Sequence, residues 1–239
     1  MDARKLIAPI LAVAAVASPN VAFAAEAQPV VAVAPTAAIR PNLALGQTGP
    51  QVTYLQQRLT NLGYFVPIVS GRFDADTQEA VIAIQKAAGL DQSGRVDSYT
   101  WTAIEQGVVA RPRTRITRGI EINLSRQLLL VVSGGKTIKT INISSGNGQS
   151  YTVAGRTYNG RTPRGTFRVY RQVNANYQSG LGLGAMYRPK FFVGGIAMHG
   201  SPSVPGYPAS HGCVRMSNAA MDWIWNNGVA PIGGLVQVY

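Results

Sequence analysis

The sequence of 239 residues is poor in the side chains that carry nucleophilic or metal chemistry. It contains one cysteine, two histidines and ten acidic residues, against 22 basic ones. A single cysteine excludes a disulfide framework within the chain. His199, His211 and Cys213 nevertheless all lie inside one window of fifteen residues. This window is therefore where we expect a functional site.

The chain also lacks an apolar run long enough to cross a bilayer, which takes about 20 residues. Its first residues have instead the three parts of an export signal. Arg4 and Lys5 are basic, residues 6–17 are apolar, and residues 22–24 form a small-x-small cleavage sequence. We therefore predict a signal peptide over residues 1–24 and a mature chain with no transmembrane segment. A retained membrane anchor is the alternative.

Acidic charge is scarcest in the second half of the chain. Residues 109–239 contain fifteen basic residues and only two acidic ones, whereas residues 43–108 contain four basic and six acidic residues. A strongly basic domain attracts anionic partners through its summed field. Because the export signal argues against nucleic acid, anionic cell-wall polymers are the partners we expect. A basic surface that only keeps the protein soluble is the alternative.

Composition divides the chain after the signal peptide into four segments. Residues 25–42 are rich in Ala, Val and Pro and almost uncharged, which is typical of a linker. Residues 43–108 have a helical pattern, residues 109–117 form a basic linker, and residues 118–239 have the patterns of strands. We predict an α+β protein, in which a small three-helix bundle precedes a mainly β domain.

Three short helices are expected within residues 43–108. Apolar residues recur at spacings of three and four from Val52 onward, which predicts the first helix. The second helix begins at Asp74, or at Asp76 with Glu79 in a capping box, and the third begins near Asp97. In the later part of the chain, one helix is predicted at residues 218–227. The predicted strands are residues 120–124, 128–132, 137–145, 166–173, 191–198 and 235–239.

The residues around the cysteine fit covalent catalysis. An unpaired cysteine in an exported protein is either buried and inert or kept free for chemistry. Cys213 would need a base for its proton and N–H donors for an oxyanion. His211 shares a face with Cys213 in an extended segment, Gly212 permits a tight turn, and His199 can join them only if the loop between folds back. Zinc binding is the alternative, although the spacing matches no common zinc site.

These residues resemble a known family. Residues 195–200 (GIAMHG) and 210–216 (SHGCVRM) are similar to the signature of L,D-transpeptidases of the YkuD type, and residues 162–167 (TPRGTF) resemble that family's TPxGxF segment. The resemblance covers about residues 118–239 and implies a β-sandwich-like domain without metal or organic cofactor. Such bacterial enzymes form 3→3 cross-links in peptidoglycan. They attack the third residue of a donor tetrapeptide stem, release D-Ala, and pass the acyl group to an amine of an acceptor stem.

The resemblance also implies a role for each matching residue. Cys213 is the nucleophile, His199 the base with its ring oriented by a backbone carbonyl, and His211 a supporting histidine. The N–H groups of Gly212 and Cys213 are the implied oxyanion donors. Spacing does not decide which histidine takes the proton.

Four further residues are expected to support the site or to bind substrate. Ser210 and Gly200 belong to the motifs and support the site. Arg215 is expected to pair with a substrate carboxylate, or else to be a surface arginine. Tyr187 is expected to line the cleft, beneath a glycine-rich flap at residues 180–184.

Residues 43–108 have a resemblance of their own. Leu62-Gly63-Tyr64, Gly71-Arg72-Phe73 and Gly94-Arg95-Val96-Asp97 follow the pattern of the peptidoglycan-binding domain of type 1. This implies either wall binding or a scaffold that spaces the enzyme from the wall. Together the resemblances imply an exported enzyme of the bacterial cell wall or periplasm. An L,D-carboxypeptidase, an endopeptidase and a non-catalytic wall-binding protein are the alternatives.

Overall fold

The computed structural model describes residues 40–239. The predicted signal peptide at residues 1–24 and most of the predicted linker at residues 25–42 lie outside the described residues. None of the helices in the described part is long and apolar enough to cross a membrane.

Three helices open the described chain, as predicted: α1 (Pro50–Asn61), α2 (Ala75–Ala88) and α3 (Ser98–Glu105). The side chains of Asp74 and Asp97 cap α2 and α3 by accepting hydrogen bonds from backbone N–H groups three residues later. The alternative start of α2, a capping box of Asp76 and Glu79, is wrong. Asp76 lies within the first turn, and Glu79 accepts a hydrogen bond from Asn142 instead.

Strands dominate the remaining residues, and the α+β class is confirmed. They are β1 (Arg118–Asn123), β2 (Leu128–Ser133), β3 (Lys136–Asn142), β4 (Ser150–Val153), β5 (Arg156–Asn159), β6 (Gly165–Arg168), β7 (Arg171–Gln172), β8 (Asn176–Gln178), β9 (Ala185–Val193), β10 (Ile196–Gly200), β11 (Val214–Met216) and β12 (Leu235–Val238). The predicted helix is α4 (Asn218–Asn226), with Ser217 as its N-cap.

The strands form two sheets of five and one separate hairpin. The first sheet has the order β3-β2-β1-β12-β6, with β1 and β12 parallel. The second has the order β11-β10-β9-β7, with β8 also paired to β9, and β4 pairs only with β5. Both sheets and α4 contribute to one core, which contains Ile122, Val236, Phe192, Met198 and Met221. The mainly β domain is therefore a sandwich.

Two of the strand predictions need correction. The predicted strand at residues 191–198 is wrong because it spans a turn: β9 ends at Val193, and Gly194 adopts φ 49° before β10 begins. Apolar residues flank the turn on both sides, and the turn itself is the pair Gly194-Gly195, a hairpin signal that the prediction overlooked. The predicted strand at residues 166–173 is two strands, β6 and β7, which lie in different sheets.

Strand β2 is buried on both faces. Leu128, Leu130 and Val132 pack in the core of the three helices. Leu129 and Val131 point the other way and pack in the core of the sandwich. This alternation follows from the period of two along a strand, and it explains why the segment is continuously apolar. The helices and the sandwich therefore share one strand as a common wall.

We expect Leu130→Ala to destabilise both parts together. It removes a buried side chain from the shared wall, which costs about 2–5 kcal/mol of unfolding free energy. Denaturant unfolding followed by far-UV and near-UV circular dichroism should show one transition, shifted to lower denaturant. Leu45→Ala is the matched control, because Leu45 is exposed and should change the free energy by less than about 0.5 kcal/mol. Two separate transitions would contradict the shared wall.

Candidate active site

Parallel pairing of β10 with β11 assembles the two ends of the cysteine and histidine window. Met198 pairs with Val214, and His199 pairs with Arg215. Met198 and Val214 are fully buried in the sandwich core. Their neighbours along each strand therefore face the other way. This second face carries His199, Arg215 and Cys213, which stands just before β11.

That face forms the floor of a cleft of about 580 Å³. Five of the predicted site residues line it: His199, Ser210, His211, Cys213 and Arg215. Other walls come from the β4–β5 hairpin, the loop between β8 and β9, and the start of β9, which contribute Tyr151, Tyr158, Leu181, Leu183 and Met186. The glycine-rich residues 180–184 thus belong to a loop beside the cleft.

His199 is held as a neutral base. Its side chain is buried, with 4% of the residue exposed, and Nδ1 lies 2.8 Å from the carbonyl oxygen of Gly200. Because a carbonyl only accepts, Nδ1 carries the proton and Nε2 retains a free lone pair. Burial lowers the pKa of His199 to about 4; the hydrogen bond to Gly200 opposes this shift only in part, and the nearby Arg215 guanidinium adds a smaller lowering. The ring is therefore neutral at pH 7.

Cys213 rests as a thiol. Burial raises the pKa of its side chain, while a hydrogen bond from the Ala197 N–H and the charge of Arg215 act in the opposite direction. The Ala197 nitrogen lies 3.5 Å from Sγ, and Met186 Sδ lies 3.9 Å from it. Within residues 40–239 neither imidazole is hydrogen-bonded to Sγ. The thiol is therefore not part of a preformed thiolate–imidazolium pair.

Two hydroxyl groups fix the turn that presents the cysteine. The Ser210 hydroxyl donates to the Cys213 carbonyl and accepts from the Gly212 N–H at 3.1 Å. The Thr162 hydroxyl donates to the Gly212 carbonyl at 2.7 Å and accepts from the Gly146 N–H at 3.0 Å. Gly212 has φ 130°, which favours glycine. Because its N–H binds Ser210, Gly212 is not free to hold an oxyanion in this conformation.

His211 lies at the rim of the cleft. Its ring meets the ring of Tyr151 edge-on, with 4.7 Å between centroids, and Tyr151 stacks on Tyr158 at 5.5 Å. Neither tyrosine was predicted from the sequence. Residues 154 and 155 form a two-residue hairpin turn with positive φ at both positions, but Ala-Gly is not a dipeptide that usually marks such a turn.

Of the remaining predicted residues, Tyr187 and Gly200 lie behind the floor of the cleft, whereas Arg215 faces into the cleft. Tyr187 does not line the cleft, because its hydroxyl donates to Asp222 at 2.8 Å and its ring packs beside Gly200. A Cβ at Gly200 would lie 2.6 Å from Asn218 Oδ1, so only glycine fits there. Arg215 faces the cleft and forms none of the ion pairs found within residues 40–239.

Residues 117–238 match the family model of the L,D-transpeptidase catalytic domain. The chain belongs to the L,D-transpeptidase family. Residues 48–104 match the model of a peptidoglycan binding domain. Both matches agree with the resemblances found in the sequence.

One solved structure supports this assignment. A crystal structure of an L,D-transpeptidase from Xylanimonas cellulosilytica is 50% identical, with a TM-score of 0.80, and the match covers 83% of this chain and 98% of that one. An L,D-transpeptidase from Stackebrandtia nassauensis is 20% identical with a TM-score of 0.47, covering 82% and 94% of the two chains. No curated protein matches the chain.

Family membership assigns this L,D-transpeptidase a role in modifying peptidoglycan, which is its partner in the cell wall or periplasm. Its cleft combines a neutral base, a thiol and an arginine without an ion-pair partner in the described chain. In residues 40–239 no three side chains of Cys, His, Asp or Glu converge as metal ligands would.

The resting thiol sets the pH dependence of alkylation. Because burial raises the pKa of Cys213, only a small thiolate fraction exists at pH 7, and it grows about tenfold per pH unit below that pKa. We expect the rate of alkylation by iodoacetamide, followed by intact mass, to rise steadily from pH 6 to pH 9. A plateau across this range would show a preformed thiolate and imidazolium pair.

Thr162 should contribute to the rate through the turn that it fixes. Thr162→Val leaves the Gly212 carbonyl and the Gly146 N–H without their partner, a loss of about 1–3 kcal/mol. Acylation of Cys213 by a tetrapeptide muropeptide should slow, while the far-UV circular dichroism spectrum of the folded protein stays unchanged. Thr162→Ser keeps the hydroxyl and should restore most of the rate. Equal rates for the Val and Ser variants would show that the hydroxyl has no such role.

Proposed function

We propose that this chain is an exported L,D-transpeptidase that forms 3→3 cross-links through a thioester on Cys213. The observation that carries the proposal is that neutral, buried His199 on β10 and the thiol of Cys213, just before the paired strand β11, line the same cleft. His199 is the base that we assign, because its tautomer is set by Gly200 and Nε2 is free.

Acylation begins when the carbonyl of the third stem residue reaches Sγ. Nε2 takes the thiol proton as sulfur attacks, and the carbonyl oxygen becomes an oxyanion. We assign the Cys213 N–H as its donor, joined by Gly212 if that N–H leaves Ser210. The C–N bond to D-Ala then breaks. The departing amine takes the proton back from His199, whose low pKa makes the imidazolium a good acid.

The second half of the reaction reverses these roles. The amine of an acceptor stem attacks the thioester, and His199 accepts a proton from it. The C–S bond breaks, an amide bond forms, and Sγ regains a proton as the thiol. No oxidant, metal or cofactor enters this balance.

The walls of the cleft support an anionic peptide substrate and an amine acceptor. Arg215 is positioned to pair with a stem carboxylate by two parallel hydrogen bonds. Leu181, Leu183, Met186 and Ile196 line the cleft with apolar surface. Such a lining restricts water around a reactive acyl-enzyme. It therefore favours transfer to an amine over hydrolysis.

The helical domain and the catalytic domain would both act on peptidoglycan. The match of residues 48–104 to a peptidoglycan binding domain supports wall binding by the helices. The export signal supports a mature chain that begins near Ala25.

Mass spectrometry of the mature protein with a purified tetrapeptide muropeptide tests the proposal. We expect a transient acyl adduct on the wild type and a dimeric muropeptide product. Cys213→Ala should give neither, although it folds normally. Tripeptide without dimer would show a carboxypeptidase in place of a transpeptidase. Absence of both adduct and product in the wild type would overturn the proposal.

A further inference from the structure

A lysine of the helical domain is buried inside the catalytic domain. Lys86 lies near the end of α2, and only 3% of it is exposed. Its ammonium group donates to the Gln127 carbonyl at 3.0 Å, to the Ile143 carbonyl at 3.1 Å and to Asn142 Oδ1. All three acceptors belong to the catalytic domain, and they use all three donors of the ammonium. A buried cation is tolerated only when it is satisfied in this way.

A carboxylate from the same helix completes the cluster. Glu79 accepts a hydrogen bond from Asn142 Nδ2, so the Asn142 amide lies between the lysine and the acid. Burial lowers the pKa of Lys86 to about 7 and raises that of Glu79 to about 7, while each charge partly offsets the shift of the other. The two helix residues thus fix the orientation of one side chain at the end of β3.

From this cluster a continuous chain of hydrogen bonds leads to the nucleophile. Gln127, whose carbonyl binds Lys86, has φ 52°, which is uncommon for a residue other than glycine. Its side chain donates to Ser145 Oγ at 2.8 Å and accepts from the Ser145 N–H at 2.7 Å. The Ser145 carbonyl accepts from the Ser210 N–H at 3.0 Å. The Ser210 hydroxyl in turn donates to the Cys213 carbonyl.

The loop that joins His199 to Cys213 rests on the same segment. The Ser144 hydroxyl donates to the Tyr207 carbonyl at 2.7 Å, and Asn142 Nδ2 lies 3.5 Å from the Val204 carbonyl. Gln92 of the helical domain also lies against this loop. The two are so close that a Cβ added at Gly206 would lie 2.9 Å from Gln92 Oε1. Residues 142–147 therefore support both the loop and the turn at the cysteine.

We propose that Lys86 is a positioning residue for Cys213, so that the helical domain supports the catalytic turn in addition to any wall binding. The inference rests on the proposed function for the reaction that it affects. Without the ammonium, the Ile143 carbonyl loses the lysine as its partner, and the Gln127 carbonyl keeps only the Ile143 N–H at 3.2 Å. Gln127 is then held less firmly in its left-handed conformation, and the shift passes through Ser145 to the turn. A displacement of about 1 Å at a reacting atom can lower a rate by about a hundredfold.

Lys86→Met, compared with Lys136→Met, tests the inference. Both substitutions remove one ammonium, but Lys136 is exposed at the start of β3. For each folded variant we would measure the single-turnover acylation of Cys213 by the tetrapeptide muropeptide as a function of its concentration. Lys86→Met should lower the limiting rate by roughly tenfold to a hundredfold. The muropeptide concentration that gives half of the limiting rate should not rise. Lys136→Met should match the wild type. A merely structural lysine would lower the melting temperature and leave the limiting rate of the folded protein unchanged.

A wild-type limiting rate in folded Lys86→Met would overturn the inference. If Lys86→Met does not fold, Gln127→Gly decides: it removes both side-chain bonds to Ser145, and glycine tolerates the positive φ at this position. A lowered rate would then support the inference, and a wild-type rate would overturn it. The alkylation rate of Cys213 separates the two proposals. If the wild type forms no acyl adduct, the proposed function fails, and slower alkylation in Lys86→Met still supports positioning.

Discussion

The arrangement of the molecule depends on the burial of β2 on both of its faces. Alternate residues of this strand complete two different cores, one made by the helices and one made by the sandwich. Each buried leucine stabilises the folded state by about 1.5–3 kcal/mol relative to an exposed one. Separating the helices would expose Leu128, Leu130 and Val132 to water. The apolar wall thus holds α2 against the catalytic domain, and only there can Lys86 reach its acceptors.

Burial also sets the resting protonation of the catalytic pair. A dry site disfavours every charge that is not compensated, so it lowers the pKa of His199 and raises that of Cys213. Arg215 acts on both groups, because its charge favours a thiolate and disfavours an imidazolium. The pair is therefore neutral at rest. In the proposed reaction, transfer of the thiol proton to His199 accompanies the attack of sulfur on the carbonyl.

How much the sequence predicted depends on how local each signal is. The caps at Asp74 and Asp97 are formed by neighbours three residues away, and the helices they begin were predicted. The convergence of cysteine and histidines was expected from their concentration in one window and from a family motif. The turn at Gly194 was missed because the apolar runs on both sides were read as one strand, although Gly194-Gly195 is a local turn signal. The burial of Lys86 was not predicted, because a lysine on a helix usually faces solvent. Its hydrogen-bond acceptors also lie at least 41 positions away in the sequence.

An apolar residue would fill the space of Lys86 without the cost of burying a charge. Replacing buried ionic groups by apolar ones of similar volume is often neutral or stabilising. Apolar packing, however, has no preferred direction, whereas an ammonium with three acceptors requires each of them in one place. The gain from Lys86 is therefore one of geometry: it selects a single arrangement of Gln127, Asn142 and Ile143. A nucleophile that must meet a carbonyl within a few tenths of an ångström benefits from that selection more than from extra stability.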